Sequence, residues 1–238
     1  MNSRMKLIRA DSSQELLSTL ASIDISVPLR TEGRTKEHCE QWSICRFIAS
    51  FADSKMLTFP LSISHRDKPD FLLKLGSKMV GIEVTEAVPE NNAAIDAYRE
   101  HKEIDGPFFL KHHLPSAAQL HVADLRREAN SNDPGDGWGG DSVEREWAFA
   151  MKAFIRGKIE KSRKLDFELF ESNWLLMYDN WPLPALNQAG AAKRLFETLA
   201  PEDYVPFENI FIECSNRFWA FLCNAYYSRP INDLWADS

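Results

Sequence analysis

The segment from Lys68 to Glu86 constrains the fold of this chain more than any other. It reads Lys-Pro-Asp-Phe-Leu-Leu-Lys-Leu-Gly-Ser-Lys-Met-Val-Gly-Ile-Glu-Val-Thr-Glu. Two short apolar runs, 69–75 and 78–88, flank Gly76-Ser77, the pattern of a tight β-hairpin. Each arm carries one acid, Asp70 on the first and Glu83 on the second. Strand side chains alternate, so Glu83 and Thr85 share one face while Val84 and Glu86 share the other. A carboxylate in or beside an apolar sheet is costly unless something compensates it. A hard cation held between two such groups is one compensation.

The pattern around the hairpin is a mixed one. Residues 1–35 read as a polar N-terminal extension with a helical stretch near 12–23. Residues 35–55 predict a helix: Trp42, Cys45, Phe47, Ile48 and Phe51 recur near helical spacing, Thr35 suits the cap, and Glu37 suits the first turn. A strand is expected over 57–64. Residues 89–142 read as an insertion after the hairpin, with polar helices near 92–103 and 116–129. It ends in a Gly/Asp-rich stretch, 130–141, that reads as a mobile loop or as a lid. A long helix is expected over 142–165 with Ser142 as its cap, followed by a buried strand over 173–180. A helix over 189–199 and strands over 207–214 and 218–223 complete the order. That succession argues for an α/β sheet with helices packed on it, within a core spanning 36–238.

Composition narrows the partners. The formal net charge is −7, so the overall field opposes nucleic acid and any such contact must use a local basic surface. The compact basic pairs, Arg126-Arg127 and Arg163-Lys164, are weak candidates for it. Cys39, Cys45, Cys214 and Cys223 match no common zinc spacing and read as buried free thiols of a reducing cytoplasm. No apolar run approaches the ~18 residues of a membrane span, and the first residues lack the apolar core of a signal peptide. A soluble cytoplasmic protein is the expectation. His101, His112, His113 and His121 stand at no fixed metal spacing, and no nucleophile elbow or phosphate-binding loop is present.

Pro69-Asp70, then Gly81-Ile82-Glu83, resembles the motif of the PD-(D/E)XK nuclease superfamily. The resemblance covers about 36–223 in element order and only the hairpin in motif. It implies a restriction-endonuclease-like mixed sheet flanked by helices, carrying a helical insertion after the motif hairpin. It implies a Mg²⁺ (or Mn²⁺) ion held by Asp70 and Glu83, and hydrolysis of phosphodiester bonds in DNA rather than RNA. The superfamily's usual lysine would fall at Thr85 here, which departs from the pattern. In some members the lysine comes from the helix after the hairpin, and Lys158 or Lys161 would then supply it. An acid on the first helix often completes the metal's surroundings, for which Glu40 and Glu37 are the matching candidates. A bacterial or phage setting follows from the family alone.

Two readings from other classes stand beside this one. The missing strand lysine is also what a catalytically inactive nuclease-like module would show, one that binds a protein or nucleic-acid partner. Alternatively, the aromatic C-terminal region, 218–222 with Tyr226-Tyr227, would serve as a homodimer surface with no chemistry. Glu86 as a third metal ligand requires a bulge in its strand.

Overall fold

The computed structural model describes residues 7–105, 109, 111–112, 114–115, 117–133 and 135–236. His113, and Ser116 at the expected start of a helix, lie outside the described residues. An eight-stranded mixed sheet runs in strict chain order from β1 to β8. Its strands are β1 (Ile8–Ala10), β2 (Leu61–His65), β3 (Phe71–Leu75), β4 (Lys78–Ala87), β5 (Ser172–Asp179), β6 (Asn209–Cys214), β7 (Arg217–Leu222) and β8 (Ala225–Pro230). Neighbours are antiparallel except at the centre, where β4, β5 and β6 are parallel. Parallel neighbours need crossovers. The first carries α3 (Glu90–His101), α4 (Val122–Ala129) and α5 (Ser142–Ser162); the second carries α6 (Gln188–Thr198). Two helices precede the hairpin, α1 (Ser13–Ala21) and α2 (Lys36–Phe51).

Helices cover both faces of the sheet. Val80, Ile82, Val84, Trp174, Leu176 and Phe211 pack with α1 and α2 on one side. Leu175, Met177, Ile210 and Ile212 pack with α5 and α6 on the other. Adjacent residues of β5 thus enter opposite cores, which is why Trp174–Met177 is an unbroken apolar run. Phe47 of α2 anchors the first core against Phe51, Phe211 and Phe218, at ring separations of 4.6–5.8 Å.

The expected α/β architecture is present, and several local expectations change. The N-terminal extension is part of the fold: Ile8 and Ala10 are buried where β1 pairs with β2, and Leu16 and Leu20 of α1 enter the core. The helix expected over 116–129 forms only from Val122, since the lead-in is tied extended to α3 by the Leu120 N–H bond to Asn91 Oδ1 (2.9 Å). Asp141, not Ser142, caps α5. Phe218, Trp219 and Phe221 are buried inside β7, so that part of the aromatic stretch is core rather than surface. Cys45 and Cys214 are buried free thiols, whereas Cys39 is half-buried and Cys223 exposed. Among the described residues no helix is long and apolar enough to cross a membrane.

Candidate functional site

The hairpin forms as its sequence dictates. Gly76 takes φ +60°, so the two-residue turn closes Leu75 onto Lys78. A second glycine matters for packing. A Cβ at Gly81 would lie 2.9 Å from Pro69 Cγ and 2.8 Å from Phe170 Cδ2. Only glycine lets Pro69 close on β4, and that closure sets the next residue, Asp70.

Asp70 and Glu83 meet where the ladder breaks. Pairing of β3 with β4 begins at Phe71 and Ile82, but β4 continues to Ala87, held beyond Ile82 only by β5. Within a strand, N–H and C=O of one residue point to the same edge. Both groups of Val84 therefore lose their strand partner, and side chains replace it. Val84 N–H donates to Asp70 Oδ2 (2.7 Å). Val84 C=O accepts from Lys158 Nζ (3.0 Å), which also donates to Glu83 Oε1 (2.7 Å). Asp70 and Glu83 are 2% and 8% exposed. Asp70 stands just before β3 and Glu83 within β4, while α5, in the crossover from β4 to β5, delivers Lys158.

A second lysine enters from α2. Lys36 Nζ donates to Asp70 Oδ1 (2.8 Å) and pairs with Glu40 Oε1 one turn along the same helix. Glu40 Oε2 lies 2.9 Å from Nε2 of His65, at the end of β2. Three buried acids, Glu40, Asp70 and Glu83, thus face two lysines and a histidine.

This crowding shows in their protonation. Burial, and then the charge of Asp70, push the Glu83 carboxyl above its usual range against the pull of Lys158. Burial and Asp70 likewise push up Glu40, against Lys36 and His65. Burial would lower the Lys36 ammonium, but its bonds to Asp70 and Glu40 carry it well above the ordinary lysine value. Glu83 Oε2 is buried with no hydrogen-bond partner among the described residues. A buried anionic oxygen left so is expensive, and a cation would relieve it.

The site opens into a cavity of about 800 Å³ at the carboxyl ends of β4 and β5. Such ends are where open α/β sheets bind ligands. Arg30, Arg34, Lys36, Lys158 and Lys161 line it together with Glu40, Glu86 and Glu100, so a molecule of net charge −7 presents a wall in which cations outnumber acids.

Of the residues singled out in the sequence, the structure brings together Asp70, Glu83, Glu40 and Lys158. Lys161 lines the same cavity and makes no ion pair among the described residues. Glu37 is exposed, so the structure separates it from Glu40. Thr85 lines the cavity. The β4–β5 register is continuous, with no bulge, and Glu86 bonds Asn180 Nδ2 (2.7 Å) rather than joining Glu83. His112 bonds Glu146 Oε2 (2.8 Å), which Trp138 of the Gly-rich stretch also reaches (3.0 Å), tying that stretch to α5. Arg126, Arg127, Arg163 and Lys164 line neither this cavity nor its neighbour. Lys36 and His65 were missed. The i, i+4 spacing of Lys36 and Glu40 was a signal for the first, whereas His65 carried none.

Among the described residues no three His, Cys, Asp or Glu side chains form a metal-binding group. A pair of carboxylates completed by water and a phosphate oxygen is the arrangement Mg²⁺ usually takes. No protein-family model, no curated protein and no solved structure matches this chain.

Proposed function

We propose that the chain is a Mg²⁺- or Mn²⁺-dependent nuclease with a restriction-endonuclease-like core of the PD-(D/E)XK type, acting on DNA. The observation that carries this reading is the junction of Asp70, Glu83 and Lys158 at the gap in the β3–β4 ladder. The residues fit the ion: all donors are oxygens, and Glu83 Oε2 lacks a partner among the described residues. Asp70 and Glu83 would hold the metal, with Glu40 next to them through Lys36. When bound, the metal supplies an activated water and stabilises charge on the phosphate.

The chain's own residues do the rest. Lys158 stands against Glu83 and Val84 C=O, so its ammonium is fixed where it can orient a water and offset negative charge developing on phosphorus oxygens. It is thus the positional replacement for the lysine that Thr85 lacks. Lys161, which makes no ion pair among the described residues, would hold a flanking phosphate along the cavity wall, whereas Arg34 is paired with Glu86 and Arg30 donates to Ala93 C=O. Lys36 neutralises Asp70 and Glu40 in the metal-free protein and, being two-thirds exposed, can withdraw.

Lys36 also supports a second reading, in which the pocket binds a nucleic-acid or protein partner without cleaving it. A lysine already satisfying Asp70 and Glu40 is what a site that never takes a metal would retain. Calorimetric titration with Mn²⁺, together with incubation of plasmid and linear DNA with Mg²⁺ or Mn²⁺, decides between them. Metal binding and cleavage that Asp70→Asn and Glu83→Gln each remove support the nuclease. Wild-type protein that takes no Mn²⁺ and is inert on DNA and RNA with both ions overturns it.

A further inference from the structure

A second cavity, about 570 Å³, adjoins the first. The two share Thr85, Glu86, Lys158 and Lys161, so they meet at the proposed catalytic lysine. Their chemistry differs. The first is lined by five cations and three acids, Glu40, Glu86 and Glu100; the second is lined by Phe149, Phe154, Pro115, Ala153 and Gly157 beside the four shared residues. Its volume lies in the ~300–1,000 Å³ range of small-ligand pockets.

Its floor is unusual for a helix. Gly157 lies inside α5, where glycine costs about 1 kcal/mol relative to alanine. No neighbour requires it: a Cβ there would meet nothing within 4 Å. What a side chain at 157 would do is occupy the cavity. Two turns earlier on the same helix side, Phe149 is 57% exposed and offers its ring to the cavity. One turn later comes Lys161, exposed and without an ion pair among the described residues. An aromatic ring, an open floor and a free ammonium therefore follow one another along α5.

We propose that this second cavity receives one unpaired nucleobase of the substrate strand, stacked against Phe149, with its phosphate on Lys161. The proposal rests on the nuclease reading and assigns it a substrate class: single-stranded or frayed nucleic acid in preference to closed duplex. A base has a flat π-face for the phenyl ring, and its phosphate suits the lysine at the mouth. A paired base reaches such a pocket only after unstacking, at a cost of a few kcal/mol. An apolar peptide side chain would use the ring and the floor but would leave Lys161 and the basic wall unmatched.

The test compares fluorescence anisotropy of short labelled DNA strands, with Ca²⁺ in place of Mg²⁺. The strands are an intact single strand, the same strand carrying an abasic site, and the duplex. The intact strand is expected to bind tightest, with the abasic strand and the duplex each weaker by about tenfold. Gly157→Leu fills the floor and suits the helix; Phe149→Ala removes an exposed ring. Each is expected to erase the difference between intact and abasic strands while circular dichroism stays that of the wild type. Equal binding of all three strands by the wild type, or an intact–abasic difference unaltered in both variants, overturns the proposal. Loss of the difference in the variants of a protein that cleaves nothing would keep the base pocket and remove the nuclease reading.

Discussion

Helix α2 serves two buried ionic clusters, and they are built differently. At its start, Lys36 and Glu40 join Asp70, beside Glu83 and Lys158, and of these Lys36, Glu40 and Lys158 line a large cavity. In its middle, Arg46 Nε donates to Glu213 Oε1 (2.8 Å), and the same guanidinium pairs with Asp233 and lies 4.5 Å over the Trp42 ring. Both clusters hold acids pushed above their usual range and an acid oxygen without a partner. A shifted carboxyl therefore does not identify a site by itself. Charge count and the size of the neighbouring space distinguish them. The Arg46 cluster sets one planar cation against two acids, Glu213 and Asp233, beside a space of about 280 Å³ lined also by Trp42 and Trp235. It ties the C-terminal tail to α2, as does the Asn232 N–H bond to Ser50 Oγ (2.9 Å), while the Trp235 Nε1 bond to Ile23 O (2.8 Å) ties the tail to the segment after α1. The Asp70 cluster has three acids against two lysines and opens to a wall of further cations.

The sharpest way to break this contrast is to exchange the expected losses. Asp70→Asn and Glu83→Gln should each lower metal-dependent cleavage by at least about 10²-fold, measured on labelled DNA. Their denaturant midpoints should hold or rise, because each removes one of two mutually repelling buried charges. Arg46→Met should do the reverse. It leaves Glu213 buried without its cation, and a loss of about 3–5 kcal/mol is expected by urea unfolding. Its cleavage rate, taken where the variant is still folded, should match the wild type. An Arg46→Met variant that is stable but inactive would make the second cluster functional and dissolve the distinction.

The two clusters were not equally legible in the sequence. The hairpin and its acids were, because apolar runs around Gly76-Ser77 fix both the turn and which residues share a face. Lys158 was legible as one of a lysine series on a long helix, but choosing it over Lys161 needed the helix's rotation against β4. Glu40 and Glu37 are separated only by which side of α2 meets the sheet. Gly81 preceded Glu83 in the motif, yet its role against Pro69 and Phe170 is a matter of contact distances. The Arg46 cluster gave no signal, since Arg46, Glu213 and Asp233 are brought together by tertiary packing across most of the chain. β1 and β8 escaped for a related reason: one is three residues long, and the other is an edge strand without a continuous apolar face.

A smaller effect separates the clusters by pH. Burial pushes the Glu213 carboxyl up to about 7, with Arg46 opposing. An unfolded glutamate titrates near ~4.3. The folded state thus holds this proton more tightly. Its stabilising contribution is complete below about 4.3 and is lost as pH rises through about 7, on the order of 3 kcal/mol in total. Glu213→Gln should flatten that part of the stability–pH curve, measured by urea unfolding from pH 4.5 to 8 (about the window between those two values). In the Asp70 cluster the corresponding loss should be recovered by the ion. Mg²⁺ at about 100 times its dissociation constant should add about 2.7 kcal/mol to the wild type and little to Glu83→Gln. Equal stabilisation of both proteins would place the ion elsewhere.

The smallest effect divides the two lysines that the sequence could not tell apart. Lys158 is bonded to Glu83 and to Val84 C=O, so Lys158→Met should act on the chemical step and lower kcat. Lys161 touches neither, and its ammonium faces the shared mouth of the two cavities. A lysine that only holds a phosphate contributes to binding before and during the reaction alike. Lys161→Ala should therefore raise KM a few-fold at constant kcat and reduce the slope of log binding constant against log salt by about 1. A fall in kcat with an unchanged salt slope would instead make Lys161 the positioning lysine and leave Lys158 as the strut that closes the broken ladder.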